Sequence, residues 1–251
     1  MAMQIGYVPP EQQQRDRAEF ARKGIARGRS VVAIAYADGV VFVAENPSPT
    51  LHKISEIYDR IAFAAVGRYN EFEQLRQSGI RLADVKGYQY ARDDVTGRSL
   101  ANAYANALGA AFTESPKPFE VELLIAEVTA GDGADGVELY HILYDGSITD
   151  ETGYVAIGGS AEAIRSRLEA AYRDAMPLGD ALRCAQQALA GAEERSIEPG
   201  RLEVAGLDRN RGRRKFFRLT ADEVAAHLAD SATDGDGDST EDTTGDTDDG
   251  S

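Results

Sequence analysis

The sequence predicts an α+β protein, a four-layer αββα sandwich in which two antiparallel sheets face each other and helices cover both outer sides. Three observations carry this reading. The strand signals are near-continuous runs of apolar residues rather than alternating ones, as expected for sheets covered on both faces. Strands come in consecutive groups and helices in pairs, in the order β-β-β-β, α-α, β-β-β, α-α, β-β, α, with no βαβ alternation. A chain of 251 residues buries roughly 70–75% of its unfolded surface, so the core needs neither metal nor disulfide.

Residues 31–36 (VVAIAY) and 40–44 (VVFVA) flank Ala37-Asp38-Gly39, and Asp-Gly between two β-branched runs is a hairpin signal. KISEIYD from Lys53 and RIAFAAVG ending at Gly67 complete the first group of strands. The period then changes. Phe72, Leu75 and Gly79 share a short helical face, and Leu100, Ala103, Tyr104, Ala107, Leu108, Ala111 and Phe112 follow helical spacing until Pro116 and Pro118. Strand signals return at 121–128, 137–144 (followed by Asp145-Gly146) and 154–157. Gly158-Gly159-Ser160 leads into a helix carrying Ile164, Leu168 and Tyr172. It lacks the G-x-x-x-x-G-K-[ST] phosphate pattern and reads as a tight turn with Ser160 as cap. Pro177 opens the next helix, with Leu178, Ala181, Leu182, Ala185 and Leu189. Strands at 202–207 and 215–219 precede a last helix at 221–229.

The two ends differ from this body. Residues 231–251 carry eight acidic and no basic residues, which leaves −7 of the chain's −15 for residues 1–230. Such a segment cannot bury enough surface to offset its ordering entropy, so the tail, 230–251 in the domain division, is expected to be disordered. Asp234, Asp236 and Asp238 do not make a calcium loop, because Ser239 and Gly245 stand where Gly and Glu are needed. Residues 10–27 predict a helix, with Pro10 and Glu11 suited to its first turn. Its apolar stripe is thin (Ala18, Ala21, Ile25), so it gains little from its own domain. Residues 11–29 hold six basic and three acidic residues, a net of +3 on an acidic protein. A subunit contact is the preferred reading of that helix, ahead of a solvated surface helix or a nucleic-acid contact. Residues 1–9, before it, form a short extended tail.

Composition excludes several classes. The single cysteine, Cys184, excludes an internal disulfide framework and reads as a structural thiol. His52, His141 and His227 are far apart, and no Cys/His run has metal spacing, so neither metal nor cofactor is expected. No run reaches membrane-span length and the first residues carry no signal-peptide core, so a cytoplasmic protein without membrane contact is expected. The acidic balance argues against nucleic acid as a partner. Arg211, Arg213, Arg214 and Lys215 beside Phe216 and Phe217 read as a turn entering a strand.

Five strings, PEQQQRDRAEFARKGIARG, ADGVVFVAENPS, HKISEIYDR, DVTGRSLANAYA and YDGSITDE, occur in this order. Over roughly residues 8–229 the chain resembles the proteasome core-particle α subunits, above all those of the actinobacterial type. The resemblance implies the four-layer sandwich of the N-terminal-nucleophile hydrolases with an added N-terminal helix. It implies a non-catalytic role in heptameric outer rings, stacked on β subunits that carry the peptidase sites. It also implies docking of a ring-shaped ATPase that delivers substrates tagged with a ubiquitin-like protein. Met3, Gln4, Ile5, Gly6, Tyr7, Val8 and Pro9 would form a pore gate, without the Tyr-Asp-Arg triplet of archaeal and eukaryotic relatives. Lys53, Glu19 and Gly67 match the family pocket, between adjacent subunits, that receives the C-terminal carboxylate of an activator. A lysine ammonium suits that task as a mobile point charge.

The fold's enzymes use Thr, Ser or Cys as the first residue, so that the free α-amine serves as base to its own side chain. Counting back from the Asp38-Gly39 turn puts Arg29 at the nucleophile position with Ser30 next to it, both behind the predicted helix. No catalytic residue is therefore expected. The alternative, a self-processing peptidase that uses Ser30, requires cleavage between Arg29 and Ser30. Lys53 falls at the position of the lysine that tunes the nucleophile in catalytic relatives, and Glu45 near an acidic one.

Overall fold

The computed structural model describes residues 9–131 and 133–230. Side chains of the first strand, β1 (Val31–Tyr36), divide between two cores: Val31, Ala33 and Ala35 face one, and Val32, Ile34 and Tyr36 face the other. Every residue of β1 and of β2 (Gly39–Glu45) is buried, which is why their sequences show no polar alternation.

The remaining elements are α1 (Pro10–Ala26), β3 (Ile54–Tyr58), β4 (Ile61–Gly67), α2 (Tyr69–Gln89), α3 (Gly97–Glu114), β5 (Val121–Val128), β6 (Val137–Ile142), β7 (Ile148–Glu151), β8 (Tyr154–Ile157), α4 (Ala161–Ala171), α5 (Leu178–Ala192), β9 (Leu202–Asp208), β10 (Phe216–Leu219) and α6 (Ala221–Asp230). One sheet has the order β10-β9-β2-β1-β8 and the other β3-β4-β5-β6-β7. All their pairings are antiparallel. Phe42, Ile54, Leu124 and Ile157 fill the space between the sheets. Ile164, Leu168, Leu182 and Leu189 cover the outer face of the first sheet, and Leu75, Leu100 and Leu108 that of the second. The layers are those expected from periodicity: α4 and α5, sheet, sheet, α2 and α3.

The structure differs from the sequence reading in five places. Four strands, not three, lie between the helix pairs. The added one, β7, reads ITDE on a sheet edge with two exposed residues, so it carries no apolar pattern. Its partner β6 stops at Ile142 rather than at 144, because Gly146, at φ +86°, turns the chain and its N–H bonds the Leu143 carbonyl. Helix α2 runs on to Gln89, ten residues past Gly79; only Ala83 is buried in that stretch. Ser160 stands at the start of α4 but its side chain caps nothing; its N–H donates to Ser30 Oγ at 3.3 Å instead. The last helix includes Asp230, with which the predicted acidic tail begins, while residues 231–251 lie outside the described residues.

Helix α1 is also seated more firmly than its thin stripe suggests. Ala21, Gly24 and Ile25 are buried, and Gly24 lies against the buried Glu120 side chain. Arg17 donates to the carbonyls of Ala111 (3.2 Å), Phe112 (2.8 Å) and Ser115 (2.6 Å), at the C-terminal end of α3. The Phe112 and Ser115 carbonyls lie beyond the last backbone bond of the helix, which the Ser115 N–H makes to Ala111, and a cation there also meets the negative end of the dipole. Arg17→Ala is expected to cost about 1–3 kcal/mol and to expose α1 to proteolysis ahead of the body. Limited digestion at equal protease, with a thermal melt, checks this; an unchanged α1 cleavage rate would show that Arg17 does not hold the helix.

The basic run 211–215 clips two turns together. Arg214 Nε donates to Glu56 at 2.8 Å, and the Lys215 N–H to the Asp59 carbonyl at 2.7 Å. Cys184 is on the buried side of α5, and burial pushes its thiol up from the usual range.

Candidate functional site

The hairpin register sets Ser30 across from Glu45, since Val31 pairs with Ala44. This end of β1 is closed. Ser30 is 2% exposed, and its hydroxyl accepts the Ser160 N–H. Gly158, at φ +105°, lies so close that a Cβ there would stand 3.0 Å from the Ser30 Cα. Gly159 fits against the Ala26 backbone in the same way. The glycine pair is thus explained by the close approach of the β8–α4 turn to the end of α1. It covers the Ser30 hydroxyl beside the nucleophile position.

Arg29 itself supplies no nucleophile, and its nitrogen is a peptide N–H behind α1. Its guanidinium pairs with Glu45, which is 1% exposed. Arg195 pairs with the same carboxylate and with Glu193, and Arg201 approaches Glu45 at 3.5 Å. Burial alone would raise the Glu45 carboxyl; hydrogen bonds from Arg195 and Arg29 outweigh it and hold the group below the usual range. Three guanidinium groups against two carboxylates, Glu45 and Glu193, leave an excess of positive charge at this end of the sandwich.

Lys53 points into the same place. Its Nζ donates to the Arg29 carbonyl at 2.6 Å, so the ammonium addresses the residue at the nucleophile position. Its backbone is fixed by Glu203 of β9. That carboxylate accepts the N–H groups of Lys53 (3.0 Å) and Ile54 (3.1 Å), the Asn46 amide (2.7 Å) and Arg218 Nη1 (2.7 Å). Arg218 also donates to the Ile54 carbonyl at 2.6 Å. The Glu203–Arg218 pair therefore satisfies both backbone groups of Ile54 and ties the two sheets together. Burial pushes the Lys53 amine down to about 8; Glu203 opposes the shift and the Arg29 guanidinium adds to it. The sign follows from linkage: burying the charged amine is a penalty present below pH 8, relieved as pH rises toward the ordinary lysine range.

The predicted pocket residues are not gathered within one chain. Gly67 ends β4 near Lys53, because the Ala65 N–H bonds the Lys53 carbonyl at 3.1 Å. It has φ +121°, and a Cβ there would collide with the Glu120 carbonyl, so the fold requires glycine before any ligand is considered. Glu19 lies outward on α1, paired with Lys23 at 2.6 Å. It lines a cavity of about 620 Å³ with Arg15, Arg22, Phe112 and Tyr144, which neither Lys53 nor Gly67 lines. Of the predicted gate, only Pro9 falls among the described residues, extended at φ −56°, ψ 142° ahead of α1; Met3, Gln4, Ile5, Gly6, Tyr7 and Val8 lie outside them. Sequence reasoning missed Arg195, Arg201, Glu203 and Arg218, which reach this site from about 150 residues away. Among the described residues there is no group of three or more potential metal ligands, and no helix is long and apolar enough to cross a membrane.

Fold and site together define an N-terminal-nucleophile-hydrolase type of sandwich with its nucleophile position internal to the chain, a non-catalytic member of that class. The sequence profile of the family described as proteasome subunit matches residues 25–207. Relatives named proteasome subunit alpha include the following three. That of Frankia alni is 58% identical over 241 residues, covering 93% of this chain and 99% of the relative. That of Streptosporangium roseum is 60% identical over 230 residues, covering 92% and 88%. That of Mycolicibacterium vanbaalenii is 56% identical over 226 residues, covering 88% and 89%. The chain belongs to the proteasome subunit family, and within it to the bacterial α type. It is a non-catalytic subunit; the catalytic sites lie on β subunits, with which it assembles alongside copies of itself.

Proposed function

We propose that this chain forms heptameric outer rings of a cytoplasmic core particle, gates substrate entry and docks a ring-shaped ATPase. The ATPase would bring substrates tagged with a ubiquitin-like protein. The observation that carries the docking reading is the Lys53 ammonium. It spends one N–H on the Arg29 carbonyl and keeps two donors, beside guanidinium groups that outnumber their carboxylates. A C-terminal carboxylate of an activator fits that charge. Glu19, distant within one chain, completes the pocket from a neighbouring copy, and Gly67 leaves its near wall without a side chain. Each charge-assisted contact is worth about 1.5–3 kcal/mol, and several weak tails around a ring gain from multivalency.

Residues 1–9 are proposed as the gate, the folded domain 10–229 as the wall, and 230–251 as an acidic tail. Co-expression with a β partner followed by native mass spectrometry tests the assembly; a four-ring particle is expected, and a permanent monomer would contradict it. Deleting residues 2–8 is expected to raise peptide hydrolysis by that particle. An unchanged rate would remove those residues from the gate.

A further inference from the structure

Four of the chain's five lysines, Lys23, Lys53, Lys117 and Lys215, are held differently. Lys23 and Lys117 each grip a carboxylate at 2.6 Å; burial would lower the Lys117 amine, but hydrogen bonds to Glu120 and Glu71 raise it. Lys215 donates to two carbonyls, those of Arg209 and Arg211. The Lys53 acceptor is a single carbonyl, that of Arg29, half-buried and with a guanidinium on the same residue. A carbonyl accepts an N–H from a neutral amine as well as from an ammonium, so this contact does not pin the proton. The arginines around Glu45 remain open to solvent: Arg29 and Arg195 are 39% exposed and Arg201 is 50% exposed. They form a ready anchor for a phosphate group beside the amine.

We propose that Lys53 is an acylation site whose donor is an acyl phosphate held by Arg29, Arg195 and Arg201. The Nζ lone pair of the neutral amine attacks the acyl carbon. The bond from that carbon to the phosphate oxygen breaks, inorganic phosphate leaves with the bonding electrons, and Nζ releases one proton to solvent. The product amide is uncharged and keeps one N–H, enough to preserve the bond to the Arg29 carbonyl. Burial, which holds this amine at about 8, supplies a neutral fraction near pH 7.5 that an ordinary lysine lacks. The regulatory consequence rests on the docking reading: acylation removes the ammonium that would meet the activator's carboxylate.

The test treats the assembled α/β particle with acetyl phosphate and follows acetylation of each lysine by peptide mass spectrometry. At pH 7.5 Lys53 is expected to react roughly tenfold or more faster than Lys23, with a rate that levels off above about pH 8. A Lys53 rate equal to or below that of Lys23, or one still climbing through pH 10, would overturn the proposal. Arg201→Gln is expected to slow acetyl phosphate several-fold while leaving a neutral N-hydroxysuccinimide ester unaffected; equal slowing of both would remove the phosphate anchor. Acetylated particle is then assayed for ATPase-driven degradation. Rapid acetylation without loss of that activity would sink the docking reading alone, whereas slow acetylation sinks the modification alone.

Discussion

Lys53→Ala is expected to abolish ATPase-driven degradation of proteins by the assembled particle while short peptides that pass the pore are still cleaved. On the proposed docking the two activities separate, because peptide cleavage needs only the β-subunit sites, whereas protein delivery would need the activator seated on the ring. Removing the ammonium takes one charge-assisted contact from every subunit at once, so the loss multiplies around the ring. Lys53→Arg is not expected to restore full activity: the planar guanidinium is larger, and it would face Arg29 in place of a compact ammonium. Measuring both activities on one preparation decides the matter, and equal loss of both would count against docking.

Glu203→Ala is expected to destabilise the fold by about 3–5 kcal/mol, the usual cost of removing one partner from a buried charge network. It strands the N–H groups of Lys53 and Ile54 and leaves Arg218 without its carboxylate. For a domain of this size that is a fall in melting temperature of roughly 6–20 °C. The pH dependence has a definite sign. Burial would raise the Glu203 carboxyl, but hydrogen bonds from the Lys53 backbone, Asn46, Arg218 and the Ile54 backbone hold it below the ordinary range. Its contribution is therefore complete above the ordinary carboxylate range and is lost as pH falls through the lowered value. Melts from about pH 2 to 7 should show a shallower acid-side decline in Glu203→Gln than in the parent. A melting temperature for Glu203→Ala within a degree of the parent would show that the two sheets are not joined through this carboxylate.

The sandwich was readable because each inner strand is buried on two sides. Val31 to Tyr36 are apolar throughout, and that demands cover above and below. Edge elements gave no such signal: β7 has one apolar residue, and the second half of α2 buries only Ala83 while leaving Leu82 and Val85 exposed. Half of the site was legible and half was not. Arg29 and Ser30 could be counted back from a recognisable hairpin, whereas Glu45 and Lys53 were singled out by the family resemblance. Glu203, Arg218 and Arg195 approach from the opposite end of the chain, and single polar residues carry no periodicity that foretells a partner. Arg17 was invisible for the same reason, since the carbonyls it binds are backbone groups at the end of another helix.

The account depends on β1 being entered from a helix, with a peptide bond where its catalytic relatives expose an amine. Intact mass and peptide hydrolysis, measured together on the purified chain without a β partner, address this most directly. The Arg29–Ser30 bond is expected to be uncut and no peptide to be hydrolysed. Protein that begins at Ser30 and cleaves peptides unaided would contradict it.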